Sequence, residues 1–244
     1  LASAIGLDVA NVNLRKILLH NVLVVERFDR RIKEAGVEKR HIIDSCQALD
    51  LPPELKYEQN FGSGRDVAHI RDGVSLVKLF DFAGKCSVPA MTKQKILDWV
   101  LFNLIIGNSD AHGKNISFFI GANGIQVTPY YDLVSIVFES LKQDNLDTNL
   151  AMAIGDNFDA NSISAYDLLS MAEDVGIKFD HLKRSLEKML IKCLNALHEL
   201  DFSMDCLTES NERIINELER LVKARCASLQ NQSEQLDEIS REAF

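Results

Sequence analysis

The sequence predicts an α+β fold that is mainly helical and carries two β-hairpins. Three observations predict it. Apolar residues recur at three- and four-residue spacing over 96–105, 179–200 and 214–222, the mark of helices that bury one face. Two β-rich runs, 12–19 and 22–28, flank His20-Asn21 and read as antiparallel strands joined by a tight turn. Two shorter runs, 116–120 and 125–128, flank the turn signal Gly121-Ala122-Asn123-Gly124. With 46% apolar residues in 244, the chain can bury a sizeable core.

In chain order, residues 1–7 read as the tail of a helix ending near Gly6. The second strand, VLVVERF, is interrupted by Glu26-Arg27. Residues 29–36 are charged and read as a loop. Ile42, Ile43, Cys46 and Leu49 fall at helical spacing over 38–49, and Pro52-Pro53 stops that helix. Phe61-Gly62-Ser63-Gly64-Arg65-Asp66 lacks the Gly-Lys-Ser/Thr ending of a phosphate loop and reads as a connector. Residues 66–82 predict a helix with Val67, Ile70, Val74, Val77 and Leu79 toward the core. Thr92 reads as the N-cap of the next helix. Ile96, Leu97, Val100, Leu101, Leu104 and Ile105 bury that helix deeply, with Trp99 at its edge. Beyond Asp132 an apolar run, 133–141, meets polar loops at 142–149 and 156–161. Ser164-Ala165-Tyr166-Asp167 resembles a capping box and opens a helix that stops near Gly176. The last helix ends around Leu229, and 231–244 reads as a polar, frayed tail.

A net charge of −9 argues against non-specific nucleic-acid binding, which needs a basic surface. The cysteines, Cys46, Cys86, Cys193, Cys206 and Cys226, form no C-x-x-C pair. Their scatter fits reduced thiols in a cytoplasm. No apolar run reaches the ~18 residues of a membrane span. The chain starts Leu1-Ala2-Ser3 without an initiator Met, as a fragment or processed product does.

The chemistry concentrates in NLIIGNSDAHGKNISFFIGANGIQVTPYYDLVS, residues 103–135. Asp110 and Asn115 frame a D-x-x-x-x-N spacing. The hairpin that follows brings its outer ends, Asn115 and Asp132, together. Phosphoryl transfer needs a carboxylate near the attacking hydroxyl and oxygen ligands for Mg²⁺ on the nucleotide phosphates. Asp110 fits the first need. Asn115 and Asp132 are hard oxygen ligands and fit the second. The other reading of these residues is a polar loop with a solvated Asp and a capping Asn. The remaining histidines, His20, His41, His69, His181 and His198, lack metal-site spacing. No serine sits in a G-x-S-x-G elbow.

IGNSDAHGKNISFF and TPYYDLVS resemble the catalytic and metal-binding segments of the HipA family of bacterial serine/threonine kinases. VVERFDRR, HIIDSCQALDLPPELKYE and LAMAIG resemble other segments of that family, in its order, over about 1–155. The resemblance implies a protein-kinase-like C-lobe with a hinge strand pair and a catalytic-loop hairpin. Residues 1–30 would end the small lobe and form the hinge, 31–230 the helical catalytic lobe, and 231–244 a C-terminal tail. Asp110 would be the catalytic base. The hinge Glu26-Arg27-Phe28 would meet adenine, through the backbone of Glu26 and Phe28. His112, Gly113, Lys114, Asn115, Tyr131 and Asp132 would face the nucleotide, with Asn115 and Asp132 holding Mg²⁺. The implied cofactors are ATP and Mg²⁺. The implied acceptor is a protein hydroxyl on a translation component such as an aminoacyl-tRNA synthetase. The implied partner is a helix-turn-helix antitoxin of HipB type, with DNA met only through it, no membrane, and a bacterial cytoplasmic setting. The family's ATP lysine lies upstream of Leu1, since Lys16 stands on the wrong strand. That leaves a second reading, a catalytically incomplete lobe or pseudokinase that binds an antitoxin. A small-molecule phosphotransferase is disfavoured, because many of those carry His where Asn108 stands.

Overall fold

The computed structural model describes residues 1–34, 36–62, 64–143, 146–200 and 209–242. Cys206 and Ser63 lie outside them. Val12–Ile17 (β1) pairs antiparallel with His20–Val25 (β2). The turn falls on Leu18-Leu19, not on His20-Asn21, although Asn is the better turn former. This register sets Val12 opposite Val25 and Leu14 opposite Leu23. A turn at His20-Asn21 would set Leu14 against Arg27 and Val12 against Asp29, so cross-strand apolar pairing decides it.

Several expected loops and helices are strands. The charged stretch after Phe28 forms Arg30–Lys33 (β3) against Gly36–Lys39 (β4). Residues 38–49 are not one helix. Ile42–Asp44 (β5) pairs with Ser117–Gly121 (β6), setting Ile42 by Phe119 and Ile43 by Phe118. β-branched residues favour that pleated surface, so the helical spacing there is coincidence. Asp44 then caps the short helix Ser45–Ala48 (α1) with Gln47 in a capping box. Gly124–Val127 (β7) completes the three-stranded sheet. Asn149–Ile154 (β8) pairs with Asn157–Asp159 (β9), across Gly155 at φ +61°. Residues 1–7 form a turn closed at Gly6 (φ +82°) instead of a helix end.

The helix expected over 66–82 is only Leu76–Ala83 (α2), capped by Ser75. Just before it, Gly73 N and Val74 N donate to Glu58 O (3.3 Å) and Leu55 O (3.0 Å), which ties this backbone to another segment instead of to a helix. Val74 and Leu79 are buried as expected, and Val77 is exposed. Pro89–Ile106 (α3) is the central helix. It starts at Pro89, where the missing N–H costs nothing. Thr92 is therefore inside the helix, and Trp99, expected at an edge, is fully buried. Ile136–Ser140 (α4) and Ala165–Asp174 (α5) follow, the latter with the Ser164 capping box. Phe179–Glu199 (α6) and Glu209–Glu242 (α7) pack on each other and on α3.

The frayed tail is not observed through 242. Val222, Cys226, Leu229, Ser233 and Leu236 form one buried stripe along α7, spaced for a helix face. Arg225 on α7 donates from Nε to Leu104 O (2.8 Å) and from Nη2 to Ala160 O (2.9 Å). It thus fastens the end of α3. Cys46, Cys86, Cys193 and Cys226 are free and buried. Among the described residues no helix is long and apolar enough to cross a membrane.

Asp29 pins the hinge. Arg27 donates to it from Nε and Nη2 (2.9 and 2.8 Å), and Arg30 pairs with it too. The Arg27 hydrogen bonds, helped by both cations, hold its carboxyl below the usual range. The native state then binds fewer protons here than the unfolded chain. The stabilisation is present above the unfolded carboxylate pKa of about 3.9 and is lost as pH falls toward the lower native value. Asp29→Asn should flatten the dependence of Tm on pH between about pH 5 and 3; thermal melts across that window, with an unchanged slope as the contrary result, check it.

Candidate functional site

Helix α3 ends at Gly107, whose φ of +69° turns the chain without a side-chain penalty. A chain of buried amides then extends from the helix to the far side of the hairpin. Asn103 Nδ2 donates to Trp99 O (2.8 Å). Asn108 Nδ2 donates to Asn103 Oδ1 (2.8 Å) and to Asp132 O (3.2 Å). Asp132 sits at φ +57°, a left-handed conformation that Asp tolerates better than most residues. Across from it, Asn115 Nδ2 donates to Asp132 Oδ2 in a short hydrogen bond. The two outer ends of the β6–β7 hairpin therefore meet, as the sequence predicts.

Asn115 is buried, and its Oδ1 has no hydrogen-bond partner. A buried unpartnered oxygen beside a carboxylate is a costly arrangement in a resting protein. It suits a hard cation, which takes oxygen ligands. Asn115 and Asp132 thus fit Mg²⁺.

Asp110 stands on the same loop. Its Oδ1 accepts from Tyr57 Oη at 2.8 Å. Its carbonyl accepts from His112 N (2.8 Å), and His112 O accepts from Asn115 N (2.8 Å). His112 is buried edge-on against the Tyr57 ring, 5.2 Å between centroids. Its Nδ1 accepts from Lys114 N (3.3 Å). Burial lowers its pKa, outweighing the Asp110 carboxylate. The neutral ring braces the loop.

Gly113 has a packing reason. Its N–H donates to Lys56 O (2.9 Å) and its O accepts from Ser45 N (3.0 Å). A Cβ there would lie 2.5 Å from Val74 Cγ2. Gly113→Ala should cost about 1–3 kcal/mol through overpacking and displace the loop; a denaturant melt reads the first effect. An unchanged midpoint would mean that Val74 gives way.

Tyr131 Oη donates to Lys114 O (2.5 Å) and lies 2.6 Å from Ser117 Oγ. Burial pushes its phenol up to about 12. Phe28 packs on Tyr131 and Phe119, with centroids 5.8 and 5.9 Å apart. The hinge segment therefore reaches the hairpin. Glu26 N donates to Asn11 O (2.9 Å), and its carboxylate accepts from Asn11 Nδ2 (3.0 Å). Arg27 is turned onto Asp29.

Sequence reasoning missed Tyr57, Asn103 and Asn108 as parts of this site. Asn103 carried a usable signal, an amide that interrupts the apolar stretch 99–106. Tyr57 carried none, because its partner lies 53 residues away.

Comparisons with known proteins give the chain its family. The HipA-like C-terminal domain family matches residues 1–198. The chain is 44% identical over 229 residues to the serine/threonine-protein kinase toxin HipA of Shewanella oneidensis, covering 93% of this chain and 52% of that protein. It is 35% identical over 192 residues to a putative kinase, Y4mE, of Sinorhizobium fredii, covering 78% of this chain and 42% of that one. The chain thus spans about half the length of these relatives. Among solved structures it matches the HipA of Shewanella oneidensis, determined with HipB and operator DNA. The TM-score is 0.91 at 40% identity, over 97% of this chain and 55% of that one. It also matches the Helicobacter pylori proinflammatory kinase CtkA, at TM-score 0.50 and 15% identity, over 94% of this chain and 84% of that one, which shows the shared kinase fold. On sequence and fold together, this chain belongs to the HipA-like C-terminal domain family.

Proposed function

We propose that this chain is the catalytic lobe of a HipA-type serine/threonine kinase toxin, which transfers the ATP γ-phosphate to a protein hydroxyl. The observation that carries this reading is the unpartnered Asn115 Oδ1 beside Asp132, on the same loop as Asp110. Asp110 accepts the hydroxyl proton as the oxygen attacks γ-phosphorus and the bond to the β-phosphate oxygen breaks. Asn115 and Asp132 would hold Mg²⁺, which would neutralise charge on the phosphates. With its N–H engaged by Asn11, Glu26 offers adenine its carbonyl, and Phe28 offers its backbone. Lys114 faces the transferred phosphate.

The acceptor is a translation component such as an aminoacyl-tRNA synthetase, and the partner is a HipB-type antitoxin. The antitoxin proposal draws on the Shewanella complex with HipB and operator DNA. A net charge of −9 supports contact with DNA through that partner. The setting is the bacterial cytoplasm.

The test uses the full-length gene product with γ-labelled ATP and a panel of purified synthetases. Incorporation that needs Mg²⁺, with growth arrest on expression, is the expected result. No transfer and no arrest would favour the other reading, an antitoxin-binding lobe without activity.

A further inference from the structure

The loop that carries Tyr57 is fastened on both sides. Pro53–Lys56 forms a short 3-10 turn. Leu55 O accepts from Val74 N (3.0 Å), Lys56 O from Gly113 N (2.9 Å), and Glu58 N donates to Ala151 O (2.9 Å). Gly73 passes so close to Tyr57 O that no other residue fits there.

Glu58 is the anchor, 3% exposed. Its carboxylate accepts from Ala153 N (2.8 Å) and from Arg71 Nε (2.6 Å). Burying a carboxylate is unfavourable unless it is paired and hydrogen-bonded. Here a buried carboxylate, satisfied by a partly exposed arginine and a backbone N–H, stands next in sequence to Tyr57.

That framework presents one hydroxyl to Asp110. Tyr57 Oη donates to Asp110 Oδ1 at 2.8 Å. Burial and the Asp110 carboxylate raise the phenol pKa, so it stays a donor at physiological pH. Tyr57 and Asp110 also share a cleft of about 290 Å³ with Gln59, Asn60, Asp147 and Asn149. Asn115 and Asp132 are not among its walls. Asp110, half-buried, lines this cleft.

Resting on the kinase reading, we infer that this cleft admits the acceptor hydroxyl and that Tyr57 is a positioning residue there. Tyr57 holds Asp110 Oδ1, which leaves Oδ2 to take the proton. The hydroxyl O–H bond breaks toward Oδ2, the new O–P bond forms, and ADP leaves with the old bridging oxygen.

The test compares wild type, Tyr57→Phe, Asp110→Asn and the double variant in the full-length protein. The acceptor is a heat-treated bacterial extract and the donor γ-labelled ATP. Tyr57→Phe keeps the ring on His112 and loses only the hydroxyl. It should lower kcat about ten- to a hundredfold, as loss of orientation does, with KM for ATP and Tm unchanged. In the Asp110→Asn background it should cause no further loss, because residues that act through each other are not additive. Asn60→Trp, which fills the cleft, should raise the extract concentration at half-maximal rate and leave KM for ATP alone.

A wild-type kcat for Tyr57→Phe overturns the positioning role, as does an equal further loss in the Asp110→Asn background. A rise in KM for ATP that tracks the loss of kcat does the same. An unchanged acceptor requirement for Asn60→Trp overturns the cleft. Full transfer by Asp110→Asn would instead sink the kinase reading itself. An inactive Asp110→Asn beside a fully active Tyr57→Phe would sink only this inference.

Discussion

Asp110→Asn in the full-length protein lowers phosphoryl transfer by about 10²–10⁴-fold, the usual span of a general-base contribution. An amide at position 110 is the same size, and its oxygen still accepts from Tyr57 Oη. The loop bonds of His112 and Asn115 are made by the backbone, so the fold is untouched. What is lost is a group that takes the hydroxyl proton. The measurement is labelled phosphate in a synthetase acceptor, with growth on expression as the cellular readout. Raising Mg²⁺ does not restore this variant. Wild-type transfer and toxicity would show that this loop is not the catalytic one, and the antitoxin-binding reading would take its place.

Asp132→Ala produces a loss of similar size by another route. The substitution removes an oxygen of the proposed metal pair and leaves Asn115 Nδ2 without its acceptor. Charge on the phosphates is then less well offset. Raising Mg²⁺ partly restores activity, which separates this variant from Asp110→Asn. Alanine also fits the left-handed backbone at 132 less well than aspartate, whose short polar side chain tolerates it. Asp132→Asn, which tolerates that backbone, controls for strain. If Asp132→Ala stays as active as wild type across a Mg²⁺ titration, these two side chains are not metal ligands.

The helices of the lobe were legible because their faces repeat. The buried positions of α5 and α6 follow three- and four-residue spacing, which one chain segment displays by itself, whereas α3 is buried all round over 99–106 and reads as a helix by its length. The strand at Ile42–Asp44 was missed because its pairing is non-local, whereas β3 and β4 form a local hairpin hidden by its charged residues. Ile42 and Ile43 look helical until Phe118 and Phe119, far along the chain, make them a strand. The Leu18-Leu19 turn failed for a related reason, since the ladder overruled local turn chemistry. At the candidate site, the meeting of Asn115 and Asp132 could be read from hairpin arithmetic. The amide chain through Asn103 and Asn108 could not, because it depends on side chains that only the folded backbone brings into register.

The clamp of Arg225 on Leu104 joins residues 121 apart, and it orders events in time. During synthesis, α3 and the β6–β7 hairpin leave the ribosome well before α7. Translation at about 5–20 residues per second leaves an interval in which the loop exists without its brace. The loop that carries Asp110 then gains its brace only after α7 has emerged.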